Sequence, residues 1–129
     1  IYSEYIKDNH NLAVASQLNS INTGFKLIEN PEKYKYIIKT RPDLIYDFNL
    51  SELLPKLKDD EFGIPQDLQF QNYNDMFAIS SPKLMRIYCD RLSFIKPGEC
   101  AHSIFKKVIS DKYKCVKDFT IYALRIAPQ

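Results

Sequence analysis

The chain has no tryptophan, only three glycines, no block of like charge, and no apolar run near the roughly 18 residues a membrane helix needs. Without such a run, and without a basic n-region and hydrophobic core at its start, neither a membrane span nor a signal peptide is expected, and the covered chain should be soluble. Eighteen basic and sixteen acidic residues are interspersed to a formal net charge of +2. No single-signed patch emerges to meet a phosphate backbone, so nucleic acid is excluded as a partner.

Cysteine is scarce and unpaired in pattern. Cys89, Cys100 and Cys115 are an odd number, contain no CxxC, and have only His10 and His102 to assist them. That spacing fits neither a zinc site nor a disulfide framework, so buried free thiols in a reducing, cytoplasmic setting are expected.

What is present points to one folded domain. At 129 residues with 45% apolar and 26% charged side chains, the chain is too apolar for disorder and long enough to bury roughly two-thirds of its unfolded surface. It is short for a two-substrate enzyme. It also opens on Ile1 rather than methionine, in the run-up to a helix, and is expected to be a trimmed part of something longer.

The periodicities place the elements. Val14, Leu18, Ile21, Phe25 and Ile28 form one apolar stripe of a first helix capped by Asn9 or Asn11 and closed by Asn30-Pro31. A strand Tyr34 to Thr40 follows, then a helical turn at Asn49 to Leu54 with Ser51 or Asn49 as cap, a polar turn at Lys56 to Asp60, and a short strand at Phe62 to Pro65. Residues 66 to 74 lack periodicity. Met76 to Ile79 reads as a strand, and Ser80-Ser81-Pro82 starts a helix. In that helix Leu84, Tyr88, Leu92 and Ile95 face inward while Arg86, Asp90 and Arg91 face water, until Pro97-Gly98 breaks it. A last helix runs from Glu99 to Ile109 with Ile104, Phe105 and Val108 inward. Lys114 to Val116 and Thr120 to Ile126 alternate as strands. This order predicts α/β or α+β layers around a mixed sheet, not a helical bundle.

Two acids stand out. In Tyr36-Ile37-Ile38-Lys39-Thr40-Arg41-Pro42-Asp43-Leu44 a buried-strand pattern ends in an arginine, a proline and a carboxylate. Open α/β sheets present functional groups at the carboxyl ends of their strands, which places Asp43 in a ligand crevice. Asp75, in Asn74-Asp75-Met76-Phe77-Ala78-Ile79-Ser80, is expected to share that site. Each has a plainer role as well: Asp43 suits an Asx turn with Arg41 as ion-pair partner, and Asp75 suits a loop acid that orders the next strand.

Taken together and in order, Ile37 to Leu44, Ile64-Pro65, Asn74 to Ser80 and Met85-Arg86-Ile87-Tyr88 resemble the second half of a GT-A-type glycosyltransferase. The group in question carries Arg-Pro-Asp-Leu where others carry Asp-x-Asp, followed by an Asn-Asp-Gln-Phe-Ala-like stretch. Pro97-Gly98-Glu99 and Leu124-Arg125 sit where such proteins have a Pro-Glu pair and a final Leu-x-Arg strand. The resemblance spans roughly residues 12 to 126.

It implies an α/β fold, a mixed sheet flanked by helices, as the metal and acceptor half of a GT-A (nucleotide-diphospho-sugar transferase-like) domain. The implied activity is transfer of a sugar from a nucleotide-sugar donor to a glycan or other hydroxyl acceptor. The donor diphosphate would be bridged by a divalent cation, Mn2+ or Mg2+, on Asp43, since hard cations take oxygen ligands and neutralise charge on the leaving group. Arg41, two residues away on the same side of an extended chain, would bind a phosphate oxygen or hold Asp43, and a protein cation there can replace part of what the ion does. Asp75 would act as general base on the acceptor hydroxyl, with Glu99 as a second candidate.

Asn74 and Tyr73 would contact the acceptor. Phe70 and Tyr46 can also stack on a sugar, although seventeen Tyr and Phe residues in a Trp-free chain make core packing the ordinary role of these rings. Glu99 alternatively favours the positive N-terminus of the last helix, and His102 within that helix is a surface or core residue. The strands and helices that hold base and ribose in such a domain have no counterpart before the first helix. The chain is therefore expected to need a missing N-terminal part of its own domain and to be inactive without it. The alternative is a non-catalytic α/β interaction module presenting helices 12 to 29 and 82 to 95.

Overall fold

The computed structural model describes residues 9–66 and 76–123, apart from the side chains at 9–11, 47, 102, 122 and 123. Helix α1, Asn9–Lys26, buries Val14, Leu18 and Phe25 of the anticipated stripe, with Ile21 at its margin; Ile28, also partly buried, falls past the helix end. The helix already includes Asn9, so Asn11 lies within it instead of capping it. Asn30, at φ 48°, reverses the chain ahead of Pro31. Asparagine tolerates that left-handed geometry better than most residues.

Strand β1, Ile37–Lys39, is shorter than the anticipated Tyr34 to Thr40. Strand β2, Leu44–Asp47, had no forerunner in the pattern. Helix α2, Leu50–Leu53, is capped by Asn49, whose Oδ1 accepts from the Ser51 amide at 3.0 Å. Strands β3, Glu61–Gly63, and β4, Ala78–Ser80, precede α3, Pro82–Cys89. Ser81 stands at the N-cap of α3, but its hydroxyl donates to the Asp59 carbonyl at 3.0 Å rather than serving the helix. Helix α4, Ala101–Phe105, begins two residues later than expected and runs on as a wide turn over Lys106–Ser110. The Ser103 hydroxyl accepts from the Cys100 amide at 2.8 Å, the reciprocal half of a capping box. Strands β5, Lys114–Val116, and β6, Thr120–Ala123, complete the described chain.

The main sheet has the order β1-β4-β3-β5, with β3 and β5 parallel and the other pairs antiparallel. It is the mixed sheet of an α/β protein. A separate antiparallel ribbon pairs β2 with β6, from Leu44 opposite Ala123 to Asp47 opposite Thr120. Because successive residues of a strand point to opposite faces, β4 feeds two cores. Ala78 joins Phe62 and the apolar faces of α1, α3 and α4, while Phe77 and Ile79 join Leu44, Leu53, Leu57, Phe119 and Ile121 under the ribbon. The layers are thus helices, main sheet, and ribbon with α2. Glu61, nearly buried on β3, accepts from the Lys58 amide at 2.9 Å and lies 3.3 Å from Lys114 Nζ, tying β3 to its parallel neighbour.

Three expectations are overturned. The helix anticipated to Ile95 ends at Cys89 and tightens into a 3-10 turn over Arg91–Phe94. The α-helix breaks at Asp90, and just past that break Arg91 folds back over Tyr88, three residues earlier, instead of into water. Arg91 is 0% exposed, its guanidinium 4.0 Å from the Tyr88 ring centroid and 5.8 Å from that of Phe105, with Nε donating to the Tyr88 carbonyl at 2.8 Å. The third correction concerns the thiols: all three are free, but only Cys89 is buried, Cys115 is half-buried and Cys100 is exposed.

Arg91→Ala should destabilise by about 3 kcal/mol, through the cavity left against two rings and the lost hydrogen bond to the Tyr88 carbonyl, with Arg91→Lys recovering little because the planar stack is lost. Urea midpoints at constant m-value measure both. Gly63 gives a second check. A Cβ there would lie 2.5 Å from Ile79 Cγ2. The clash should outweigh the gain in backbone entropy, so that Gly63→Ala lowers stability by about 1–3 kcal/mol instead of raising it.

Candidate functional site

Residues 40–43 carry the chain from β1 in the main sheet to β2 in the ribbon, so the Arg-Pro-Asp sequence is the crossing between two sheets. Pro42 holds its own φ near −65° and keeps Arg41 extended. Arg41 and Asp43 then meet side by side. Arg41 Nε donates to Asp43 Oδ1 at 2.9 Å and Nη2 to Oδ2 at 2.6 Å, a two-point fork with both side chains roughly half-exposed. The hydrogen bond from Arg41 holds the Asp43 carboxyl below the usual aspartate range, and Asp43 in turn raises the Arg41 guanidinium. β1 runs antiparallel to β4, its one described neighbour, so Asp43 does not follow a parallel-paired strand among the described residues.

The turn is also clamped from outside. The hydroxyls of Thr40 and Tyr46 lie 2.5 Å apart, and the Tyr46 ring packs edge-on against Phe48 and Phe77 at 5.8 and 6.0 Å between centroids. Tyr46 is thereby oriented by packing while remaining 47% exposed. The clamp escaped the sequence reading because it needs β2; the signal for it was the short Leu44-Ile45-Tyr46 run directly after the proline.

Beside this turn lies an open groove of about 690 Å³ between α1 and β1. Its wall is largely apolar, from Ile21 and Phe25 of α1, Ile28 just beyond that helix, Ile37 of β1 and Met85 of α3, and Lys39, Thr40 and Arg41 border it where β1 ends. The groove runs along a sheet edge, because no described strand pairs with β1 on the side away from β4.

Glu99 lies elsewhere. Its Oε1 accepts from the Lys96 amide at 2.7 Å and from Lys107 Nζ at 2.8 Å, closing the loop in which Gly98 adopts φ 86°. The Lys107 hydrogen bond is the largest influence holding its carboxyl below the usual glutamate range, and it does not line the groove. Its geometry is that of a loop clasp, and a low proton affinity suits a general base poorly. Asp75, Asn74, Tyr73 and Phe70 lie outside the described residues, as do Leu124 and Arg125.

No family model matches the chain, and neither does any curated protein or solved structure. The chemistry must be judged from the residues themselves. Among the described residues no three His, Cys, Asp or Glu side chains converge on a point. Mg2+ and its like need near-complete oxygen shells, and the Asp43 carboxylate has its charge already compensated by the Arg41 fork. Residues 40–43 bring one carboxylate to the turn, and it is ion-paired. What the turn offers is a fixed guanidinium at the head of an apolar groove.

Glu99 allows a pH test with a defined sign. Its proton affinity is lowered by folding, so the unfolded chain, with a glutamate pKa of about 4.3, binds the proton more readily. The stability it contributes is present above that value and lost as pH falls through the lower folded value. Glu99→Gln should therefore flatten the acid limb of thermal stability measured from pH 6 to about pH 3, and an unchanged limb would remove Glu99 from this role.

Proposed function

We propose that this chain is the diphosphate- and acceptor-side part of a nucleotide-sugar-dependent glycosyltransferase, acting on a glycan or other hydroxyl acceptor. The observation that carries the reading is the Arg41–Asp43 fork at the exit of β1, on the rim of a groove large enough for a small ligand. Sugar transfer from a nucleotide donor releases a diphosphate, and its barrier falls when fixed positive charge meets the charge developing on that leaving group. A guanidinium forked in advance needs little reorganisation at that moment.

Among the described strands none pairs with β1 on the side away from β4, which supports the same reading. The earlier strands and helices that hold base and ribose in a domain of this kind would extend the sheet there, against Ile37 to Lys39, so that donor and Arg41 meet in one cleft. Asp75 would then be the base for the acceptor hydroxyl, with Asn74 and Tyr73 beside it. Asp43 serves as the group that orients Arg41.

One observation favours a second reading, that of a non-catalytic interaction module. The groove is mostly apolar, and the strand beside it carries an exposed Ile38, with Tyr34 exposed just before it, which suits an added strand from another polypeptide.

The two readings separate by turnover. Nucleoside diphosphate release from a panel of nucleotide sugars, assayed in the polypeptide that carries this chain, should fall roughly 100-fold in Arg41→Ala. Absence of turnover with every donor, together with capture of a strand peptide at β1, would leave the module reading in its place.

A further inference from the structure

We propose that Arg41, positioned by Asp43, is itself the cationic centre of an anion site that takes a phosphate or diphosphate group without a bound metal ion. The inference rests on the glycosyltransferase reading for the source of the anion, and on the turn alone for the site.

The turn is built to hold one side chain still. Pro42 fixes the backbone between Arg41 and Asp43, and the residue before a proline stays extended, which keeps the two side chains on one side. The fork to Asp43 then fixes the guanidinium plane, and the Thr40–Tyr46 hydroxyl contact ties the two flanks of the turn together. Tyr46 is held in place by the edges of Phe48 and Phe77.

The fork engages two of the guanidinium's N–H donors. An arginine has five, and the other three remain available in the same plane, a geometry that matches the oxygens of a phosphate. Arg41 borders the groove, with Lys39 and Thr40 next to it on the rim. An arriving cation would meet a carboxylate whose charge Arg41 already compensates. An arriving anion displaces nothing. The place a divalent ion would take between carboxylate and phosphate is thus already filled by a side chain, and Asp43 is a positioning residue.

The test uses the 129-residue chain, 15N-labelled and kept in EDTA, with inorganic pyrophosphate as the probe. The arginine Nε–H resonance that disappears in Arg41→Lys should shift and saturate on titration. Calorimetry should show affinity lowered by about tenfold or more in Arg41→Gln and by a few-fold in Asp43→Asn, where the fork is weakened but the guanidinium remains. No movement of the Arg41 resonance in EDTA, binding by Arg41→Gln equal to that of the parent, or binding that appears only on adding Mn2+ would each overturn the proposal. The outcomes separate it from the reading beneath it. Sugar transfer that requires Mn2+ and survives Arg41→Gln would defeat the metal-free site and leave the glycosyltransferase. Metal-free pyrophosphate binding through Arg41 without turnover of any nucleotide sugar would do the reverse.

Discussion

Ala78, Ile79 and Ser80 of β4 are each fully buried, and the strand they form is paired along both edges, to β1 and to β3. A buried strand must have its amides and carbonyls satisfied, so β4 demands both neighbours, and each of its faces demands a core. Ala78 meets the helices and Ile79 meets the ribbon. The size of Ile79 explains why its partner across the β3 pair is Gly63, since any side chain there would collide with it. Two separate apolar clusters are organised from one three-residue element.

The position of Arg41 follows from the same strand. β1 is held in the main sheet through β4 alone among the described strands, and its chain then leaves for the ribbon through a proline turn. A crossing between sheets has no ladder partners of its own. It is kept in shape by side chains instead: Arg41 with Asp43, and Thr40 with Tyr46. Exposed ion pairs are usually worth little for stability. The half-exposed Arg41–Asp43 pair therefore fixes the geometry of the crossing more than it adds to stability.

Much of the helical layer was legible in the residues. The spacing of Val14, Leu18 and Phe25, the Asn49 cap and the Pro82 start each reflect local geometry, and Ile104, Phe105 and Val108 turned inward as their period requires. Strand β2 was not legible, because Leu44 to Asp47 is too short to show a period and half of it, Ile45 and Tyr46, is exposed. It is a strand only because β6, far along the chain, lies beside it. Arg91 misled for a related reason. A charged residue near a helix end belongs in water unless the chain turns back there, and here Arg91 lies against the rings of Tyr88 and Phe105.

The order of residues by itself determined that Arg41 and Asp43 stand on one side of the chain, since a proline between two residues restricts the backbone wherever the segment is placed. It also determined the faces of the main helices, because a period of 3.6 is a property of the helix and not of its surroundings. Only the tertiary structure decided that this turn joins two sheets, that Tyr46 reaches back to Thr40, and that an apolar groove opens beside the guanidinium. Those features depend on contacts between segments distant in sequence, whose closure is governed by burial and strand pairing that no local pattern records.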